Sequence, residues 1–113
     1  MVEAVQASLD GLVFVGEIGE QGKAKGDQDE FVFQDGTFRS AACDPYGFTA
    51  APYATQAEGD AVSFESETVS PTDGRMVWRG TINGGSIEGT ATWHKPQAGS
   101  PPEAYWFRGI RKQ

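Results

Sequence analysis

A short turn flanked by alternating apolar and polar residues constrains the fold of this chain more than any other feature. Asp35-Gly36 separates two such runs, and this dipeptide is a strong signal of a two-residue β-hairpin. When Gln34 is paired with Thr37, the rings of Phe33 and Phe38 lie opposite each other on one face of the hairpin. Because a slip of one residue would move every ring to the other face, the alternation specifies this register.

Two further turns predict hairpins whose registers agree with the first. Asn83-Gly84-Gly85 is followed by Ser86, and pairing Asn83 with Ser86 keeps apolar residues on one face along both strands. Pro71-Thr72-Asp73-Gly74 makes another connection, which sets Glu65 directly across from Arg79. Opposite charges in such cross-strand positions favour the pairing. Three hairpins therefore share one inner face.

The remaining turn signals recur at short, even intervals, as in a sandwich or barrel. The chain has 113 residues, 15 of them Gly and 6 Pro, which is typical of one domain with many turns. We expect an all-β fold, an antiparallel meander of about eight strands in a closed or nearly closed up-and-down β-barrel, as a single domain over 1–113 with an N-terminal extension at 1–10. The predicted strands are 11–18, 29–34, 37–43, 50–56, 61–69, 75–82, 86–94 and 103–111.

An aromatic residue followed by any residue and then glycine recurs in three predicted strands. The copies are Phe14-Val15-Gly16, Trp78-Arg79-Gly80 and Phe107-Arg108-Gly109. Inward glycines beside large rings allow a small barrel to bend sharply and to fill its interior. We interpret the repeat as barrel geometry rather than as a binding motif.

Charge excludes several classes of function. Sixteen acidic and nine basic residues give a net charge of −7 at pH 7, which opposes binding to nucleic acids and anionic lipid surfaces. No apolar run is long enough for a membrane span.

The N-terminus lacks the features of a secretion signal. The protein is therefore expected in the cytoplasm, or in an extracytoplasmic (periplasmic) compartment if Met1 replaces a removed leader.

No residue pattern predicts an enzyme, a metal site or a cofactor. His94 is the single histidine, and the sequence shows no partners that would converge on it in a catalytic or zinc site. Asp27, Asp29 and Glu30 do not follow the EF-hand pattern, because Phe31 stands where a third oxygen ligand should be. A solvated acidic turn is the expected structure there.

A segment dense in aromatic, proline and glycine residues follows the third predicted strand, at Cys43-Asp44-Pro45-Tyr46-Gly47-Phe48. Rigid loops of this kind at a barrel mouth often bind a ligand or partner. Asp44 is expected to raise the pKa of the adjacent thiol rather than to activate it. The candidate ligand or partner contacts are Cys43, Asp44, Tyr46, Phe48, Tyr53, Trp78, Trp93 and Trp106.

The outer wall carries a possible apolar stripe. If the last strand pairs with the first, Trp106 and Ile110 lie near Val13 and Val15, and an exposed apolar stripe usually marks a contact. Two parts of the protein are candidates to cover this stripe. One is the N-terminal segment, with its apolar residues Val2, Val5 and Leu9. The other is a second subunit, which would make a homodimer through 13–15 and 106–110 rather than a monomer.

The meander resembles the calycin-type barrels, which are the lipocalins, fatty-acid-binding proteins and avidins. The local likeness is to avidins, in Trp78-Arg79-Gly80, Gly84-Gly85 and Thr92-Trp93. The lipocalin Gly-x-Trp of the first strand is absent, since Gly11-Leu12-Val13 stands there. The avidin asparagine and serine that bind ligand are also absent. The resemblance implies the architecture and a capacity to hold a small ligand, but not biotin binding.

Two functions follow as expectations. The first is a non-enzymatic barrel that binds a small apolar ligand at its mouth, because the many inward rings leave little room deeper inside. The small residues Gly80, Gly89, Ala91, Ser40 and Ser66 could leave a pocket at one end. The alternative is an acidic protein-interaction module, an inhibitor or docking subunit, that binds a basic protein.

Overall fold

The computed structural model describes residues 8–112 and shows one closed barrel of eight antiparallel strands. Each strand pairs with its neighbours in sequence, and the last strand pairs with the first. The up-and-down meander predicted from the hairpins is therefore confirmed. The strands are β1 (Val13–Glu20), β2 (Asp27–Gln34), β3 (Thr37–Ser40), β4 (Ala51–Glu58), β5 (Ala61–Ser70), β6 (Gly74–Asn83), β7 (Ser86–His94) and β8 (Glu103–Arg111).

The pairings within the barrel are those that the turns predicted. Phe33 lies opposite Phe38 across a turn in which Asp35 and Gly36 have φ angles of 54° and 75°, as a type I′ hairpin requires. Glu65 lies opposite Arg79, and their charged groups are 3.7 Å apart. The hydrogen-bond ladders therefore follow from local turn geometry and side-chain alternation.

The third strand is shorter than predicted. β3 ends at Ser40 instead of 43, and residues Ala41–Tyr46 form a 3₁₀ helix. The Asp29 carboxylate accepts a hydrogen bond from the Ala42 amide at 2.9 Å, which draws the chain away from the ladder. Pro45 lies inside the helix and has no amide hydrogen for strand pairing. The fourth strand also differs, running over Ala51–Glu58 rather than 50–56.

Aromatic rings fill the interior of the barrel. The ring centroid of Phe38 lies 5.0 Å from that of Trp78, and Phe31 lies 5.1 Å from Phe107. These separations are typical of favourable aromatic packing. The largest fully buried side chains are Trp78, Phe14, Phe31, Phe33, Phe38, Phe107 and Ile87.

Paired glycines lie where an added Cβ atom would collide with the neighbouring strand. Gly80 lies opposite Gly89, and a Cβ atom added to Gly89 would lie 2.1 Å from the Arg79 carbonyl oxygen and 2.8 Å from the Phe107 ring. Gly16 and Gly109 form a second such pair between β1 and β8. The aromatic–glycine repeat thus serves barrel geometry.

Residues 8–12 close one end of the barrel. Leu9 is buried, and its amide donates to the Tyr53 hydroxyl at 2.9 Å. The Asp10 carboxylate accepts from the Gly36 amide at 3.0 Å and from the Tyr53 hydroxyl at 2.7 Å. The proposed cover of the outer wall by Leu9 is therefore wrong, because this side chain joins the core. Val2 and Val5 lie outside the described residues.

No helix within residues 8–112 has both the length and the apolar character needed to cross a membrane.

Candidate functional site at the barrel mouth

A cavity of about 540 Å³ lies at the end of the barrel opposite Leu9. We call this cavity, with the residues around it, the mouth. The end of β1, the start of β2, the 3₁₀ helix and the turn between β5 and β6 surround it. Its lining residues are Ile18, Gly19, Glu20, Lys23, Lys25, Gly26, Asp27, Ala42, Cys43, Tyr46, Phe48, Asp73, Met76, Trp93 and Tyr105.

Apolar and aromatic side chains form the inner part of the mouth. Ile18, Phe48 and Met76 are buried there, while Trp93 and Tyr105 are half-buried. Strand alternation explains this set, since each strand residue has the same parity as the core residues of its own strand. The mouth is thus an open, apolar extension of the aromatic core.

Hydrogen bonds hold the two half-buried rings in place. The Trp93 indole N–H donates to the carbonyl oxygen of Asp73 at 2.7 Å. The Tyr105 hydroxyl donates to a Glu103 carboxylate oxygen at 3.1 Å. Burial, followed by the nearby Glu103 carboxylate, raises the pKa of Tyr105 to about 12. This phenol therefore stays neutral and serves as a positioned ring with a polar tip.

A positively charged group lies against one face of the Trp93 ring. The Lys95 ammonium lies 5.2 Å from the centroid of the Trp93 ring and also forms an ion pair with Glu103. Hydrogen bonds from Lys95 and Tyr105 lower the pKa of the Glu103 carboxyl. Lys95 and Glu103 thus neutralise each other while the ammonium rests against the indole.

Asp29 supports the wall of the mouth from inside the barrel. Its carboxylate accepts hydrogen bonds from the Ser40 hydroxyl at 2.5 Å, the Ala42 amide at 2.9 Å and the Glu30 amide at 2.6 Å. Burial is the largest influence on this carboxyl group and raises its pKa, although these hydrogen bonds act in the opposite direction. None of the ion pairs within residues 8–112 includes Asp29.

The expected solvated acidic turn is wrong for Asp29, which is only 3% exposed. The sequence contained a signal for this burial. Asp29 has the same strand parity as Phe31 and Phe33, and both rings were assigned to the interior. A carboxylate in that series must either face the core or break the strand, and here it faces the core beside the 3₁₀ helix.

Cys43 lies in the wall that Asp29 supports. It is buried, and burial raises the pKa of its thiol to about 11, with smaller contributions from the Asp29 and Asp44 carboxylates. The thiolate is the nucleophilic form of cysteine. Cys43 therefore acts here as a small apolar lining residue.

The rim of the mouth carries more acidic than basic charge. Glu20 and Lys23 form an ion pair at 3.0 Å. The other charged lining residues are Asp27, Asp73 and Lys25, and no ion pair among the described residues includes any of them. Polar ligand groups would meet this charge where they leave the apolar interior.

Four of the candidate contacts predicted from the sequence meet at the mouth: Cys43, Tyr46, Phe48 and Trp93. Asp44 lies next to them in sequence but outside the cavity lining, where it forms an ion pair with Arg39. Which of these residues contact a ligand stays a prediction.

The other candidate contacts lie elsewhere. Trp78 is fully buried, and its indole N–H donates to the Thr68 hydroxyl at 3.1 Å. Tyr53 lies at the closed end, bonded to residues 9 and 10. Trp106 lies on the outer wall. The sequence pattern did not separate these positions, because aromatic residues occupy both ends, the centre and the outside of this barrel.

The outer wall differs in part from the predicted stripe. Val15 lies opposite Ile110, which is 69% exposed, but Trp106 lies opposite Gly19. The Trp106 indole N–H donates to the backbone carbonyl of residue 23 at 2.8 Å, and the Arg108 guanidinium lies 4.8 Å from the centroid of the indole ring. The Trp106 ring is thus partly covered by its own chain. A homodimer through this wall stays a prediction.

Comparison of the chain with protein-family models, curated proteins and solved structures finds no match. Among residues 8–112, no group of three or more His, Cys, Asp or Glu side chains is arranged to hold a metal ion. The geometry of the mouth is therefore the basis for a functional proposal.

Proposed function

We propose that this protein is a calycin-like, non-enzymatic barrel that binds a small apolar ligand at its mouth. The observation that carries the proposal is the cavity of about 540 Å³, lined on its inner side by apolar and aromatic residues. Small-molecule sites are commonly apolar concavities of about 300–1,000 Å³ with a few polar groups.

The packing of the barrel centre supports a site at the mouth rather than deeper inside. The Phe107 ring fills the space beside Gly80 and Gly89, since a Cβ atom on either glycine would lie within 2.8 Å of it. Ala91, Ser40 and Ser66, which could have left a pocket, are buried among packed neighbours. An apolar ligand would therefore gain contacts by covering the core at its open end.

The walls of the mouth are built in advance of binding. Asp29 bonds to Ser40 and Ala42 on the segment that leads to Cys43 and Phe48. On the opposite side, the indole of Trp93 is bonded to the β5–β6 turn. Walls that need no reorganisation reduce the entropy that is lost on binding.

Titration with N-phenyl-1-naphthylamine, a neutral apolar fluorophore, tests this proposal. We expect a saturable rise in fluorescence with the wild-type protein. Replacing Trp93 by serine should weaken binding by about tenfold, because much of the aromatic wall is lost. Ile110→Ser, at a residue of the outer wall that is 69% exposed and lies outside the cavity lining, is the control and should retain the wild-type affinity.

Circular dichroism of both variants would establish that the barrel is intact. Absence of saturable binding to the folded wild-type protein would refute a ligand site at the mouth. An equal loss of affinity in Trp93→Ser and Ile110→Ser would refute its location.

The second candidate function is an acidic module that binds a basic protein. The observation that favours it is the exposure of Tyr46 and Val69, at 61% and 52%, near the mouth. The Ser70 hydroxyl, next to Val69, donates to the Tyr46 carbonyl oxygen at 2.7 Å, so the two segments adjoin. A basic protein that binds the wild type at low salt should bind a Tyr46→Ser, Val69→Ser variant more weakly; equal binding would refute this surface.

A further inference from the structure

The electrostatics of the mouth suggest which kind of ligand it takes. We propose that the ligand is a small organic cation, whose positively charged group lies against the aromatic wall and near the carboxylates of the mouth. This inference rests on the proposed function and specifies the ligand of the same site.

Carboxylates outnumber cations at the mouth once the ion pairs are set aside. Glu20 and Lys23 neutralise each other, as do Glu103 and Lys95. Asp27, Asp73 and the buried Asp29 remain, with only Lys25 among the cavity-lining cations outside those pairs. Outside the ion pairs, the cavity lining thus has two carboxylates against one ammonium, and Asp29 adds a third carboxyl group behind the wall.

Asp29 is the most informative of these groups. A buried charge without an ionic partner is costly, and proteins usually pair or neutralise such a group. The Asp29 carboxylate accepts three hydrogen bonds, but it has no cationic partner within residues 8–112. It adjoins the cavity wall through its hydrogen bond to Ala42, which is a lining residue. A cation in the mouth would supply the missing counter-charge through a medium of low dielectric constant.

The aromatic wall suits a cation as well. The faces of indole and phenol rings carry negative electrostatic potential and attract ammonium groups within about 6 Å of the ring centroid. Trp93 already holds the Lys95 ammonium at 5.2 Å, which is an internal example of this contact. Tyr105, Tyr46 and Phe48 offer further rings around the cavity.

Charge over the whole molecule favours the same ligand class. The net charge of −7 raises the local concentration of cations and opposes the approach of anions. An anionic ligand would have only Lys25 as a cavity-lining cation outside the ion pairs, and Lys25 lies exposed at the rim beside Asp27. The binding energy of an anion would therefore be reduced by the nearby carboxylates.

Three probes of similar size and different charge separate the alternatives. Phenyltrimethylammonium is the cation, tert-butylbenzene is its neutral isostere, and benzenesulfonate is an anion. Binding is measured through the intrinsic tryptophan fluorescence, to which Trp93 at the mouth contributes, and by calorimetry on the folded wild-type chain. We expect the cation to bind about tenfold or more tightly than its isostere, with a preference that falls as salt is added.

Variants locate the source of the preference. Asp29→Asn should reduce the affinity for phenyltrimethylammonium several-fold more than it reduces the affinity for tert-butylbenzene, because both ligands use the wall that Asp29 supports and only the cation uses its charge. Asp60→Asn, which removes an exposed carboxylate in the β4–β5 turn at the closed end, is the matched control and should leave both affinities unchanged. If Asp29→Asn does not fold, Asp73→Asn at the rim tests the same dependence.

The outcomes distinguish this inference from the function on which it rests. Equal or tighter binding of the neutral isostere, or a preference for benzenesulfonate, would overturn the cation proposal and leave an apolar site at the mouth. A cation preference that neither Asp29→Asn nor Asp73→Asn reduces would also overturn it. Failure of all three probes and of the neutral fluorophore would refute the site itself.

Discussion

Gly89→Ala tests whether the aromatic–glycine steps are required for the barrel. The added Cβ atom would lie 2.1 Å from the Arg79 carbonyl oxygen, 2.5 Å from the Gly80 Cα atom and 2.8 Å from the Phe107 ring. Two of these three atoms belong to the backbone of the paired strand. The third belongs to a ring that is 1% exposed, so none can move without disturbing its neighbours.

Two opposing effects determine how much Gly89→Ala changes the free energy of unfolding. Overpacking in a filled core destabilises by about 1–3 kcal/mol, and contacts with backbone atoms place Gly89→Ala at the upper end of that range. Replacing glycine by alanine restricts the unfolded chain and offsets about 0.4–1 kcal/mol of the loss. We therefore expect a net decrease of about 2 kcal/mol or more in the free energy of unfolding, and a fall in Tm of about 8 °C or more.

Gly85→Ala is the matched control in the same hairpin. A Cβ atom added to Gly85 meets no atom within 4 Å, so we expect stability within about 0.5 kcal/mol of the wild type. Urea unfolding followed by tryptophan fluorescence, with thermal unfolding by circular dichroism, measures both variants. A Gly89→Ala protein as stable as Gly85→Ala would refute the view that the glycine pair is a steric requirement.

Two further predictions concern the wall of the mouth. Burial raises the pKa of the Asp29 carboxyl group above its ordinary value of 3.8. The folded chain therefore binds the proton of this carboxyl group more tightly than the unfolded chain does. The free energy of unfolding of the wild type should therefore fall relative to that of Asp29→Asn as the pH rises from 3.8 through the folded-state pKa. Urea unfolding across this pH window measures the difference between the two proteins. A difference that does not change with pH would contradict a raised pKa for Asp29. For Cys43, the rise in pKa from 9.0 to about 11 lowers the thiolate fraction near neutral pH by about a hundredfold. Iodoacetamide should label the native thiol at least that much more slowly than the urea-unfolded thiol, and comparable rates would show that Cys43 is accessible and has an ordinary pKa.

Local patterns in the sequence were sufficient to predict the barrel and the registers of its three hairpins. Asp35-Gly36 fixes the geometry of its own turn, and a period of two assigns every following side chain to one face of the sheet. Glu17 lies across from Arg108, and these residues pair at 3.3 Å between the first and last strands. Closure of the barrel followed because each hairpin specified the same inner face.

Tertiary structure alone determined which of those inward residues line the mouth. Leu9 and Trp93 are both apolar residues near chain turns, yet one plugs the closed end and the other lines the mouth. That difference depends on contacts between segments far apart in sequence, such as the bond from the Leu9 amide to Tyr53. The position of Asp29 shows the same dependence, since its hydrogen bonds to Ser40 and Ala42 convert the end of a strand into a 3₁₀ helix. Local alternation specifies the face of a sheet on which a residue lies, whereas burial and the shape of a cavity depend on which distant segments pack against that face.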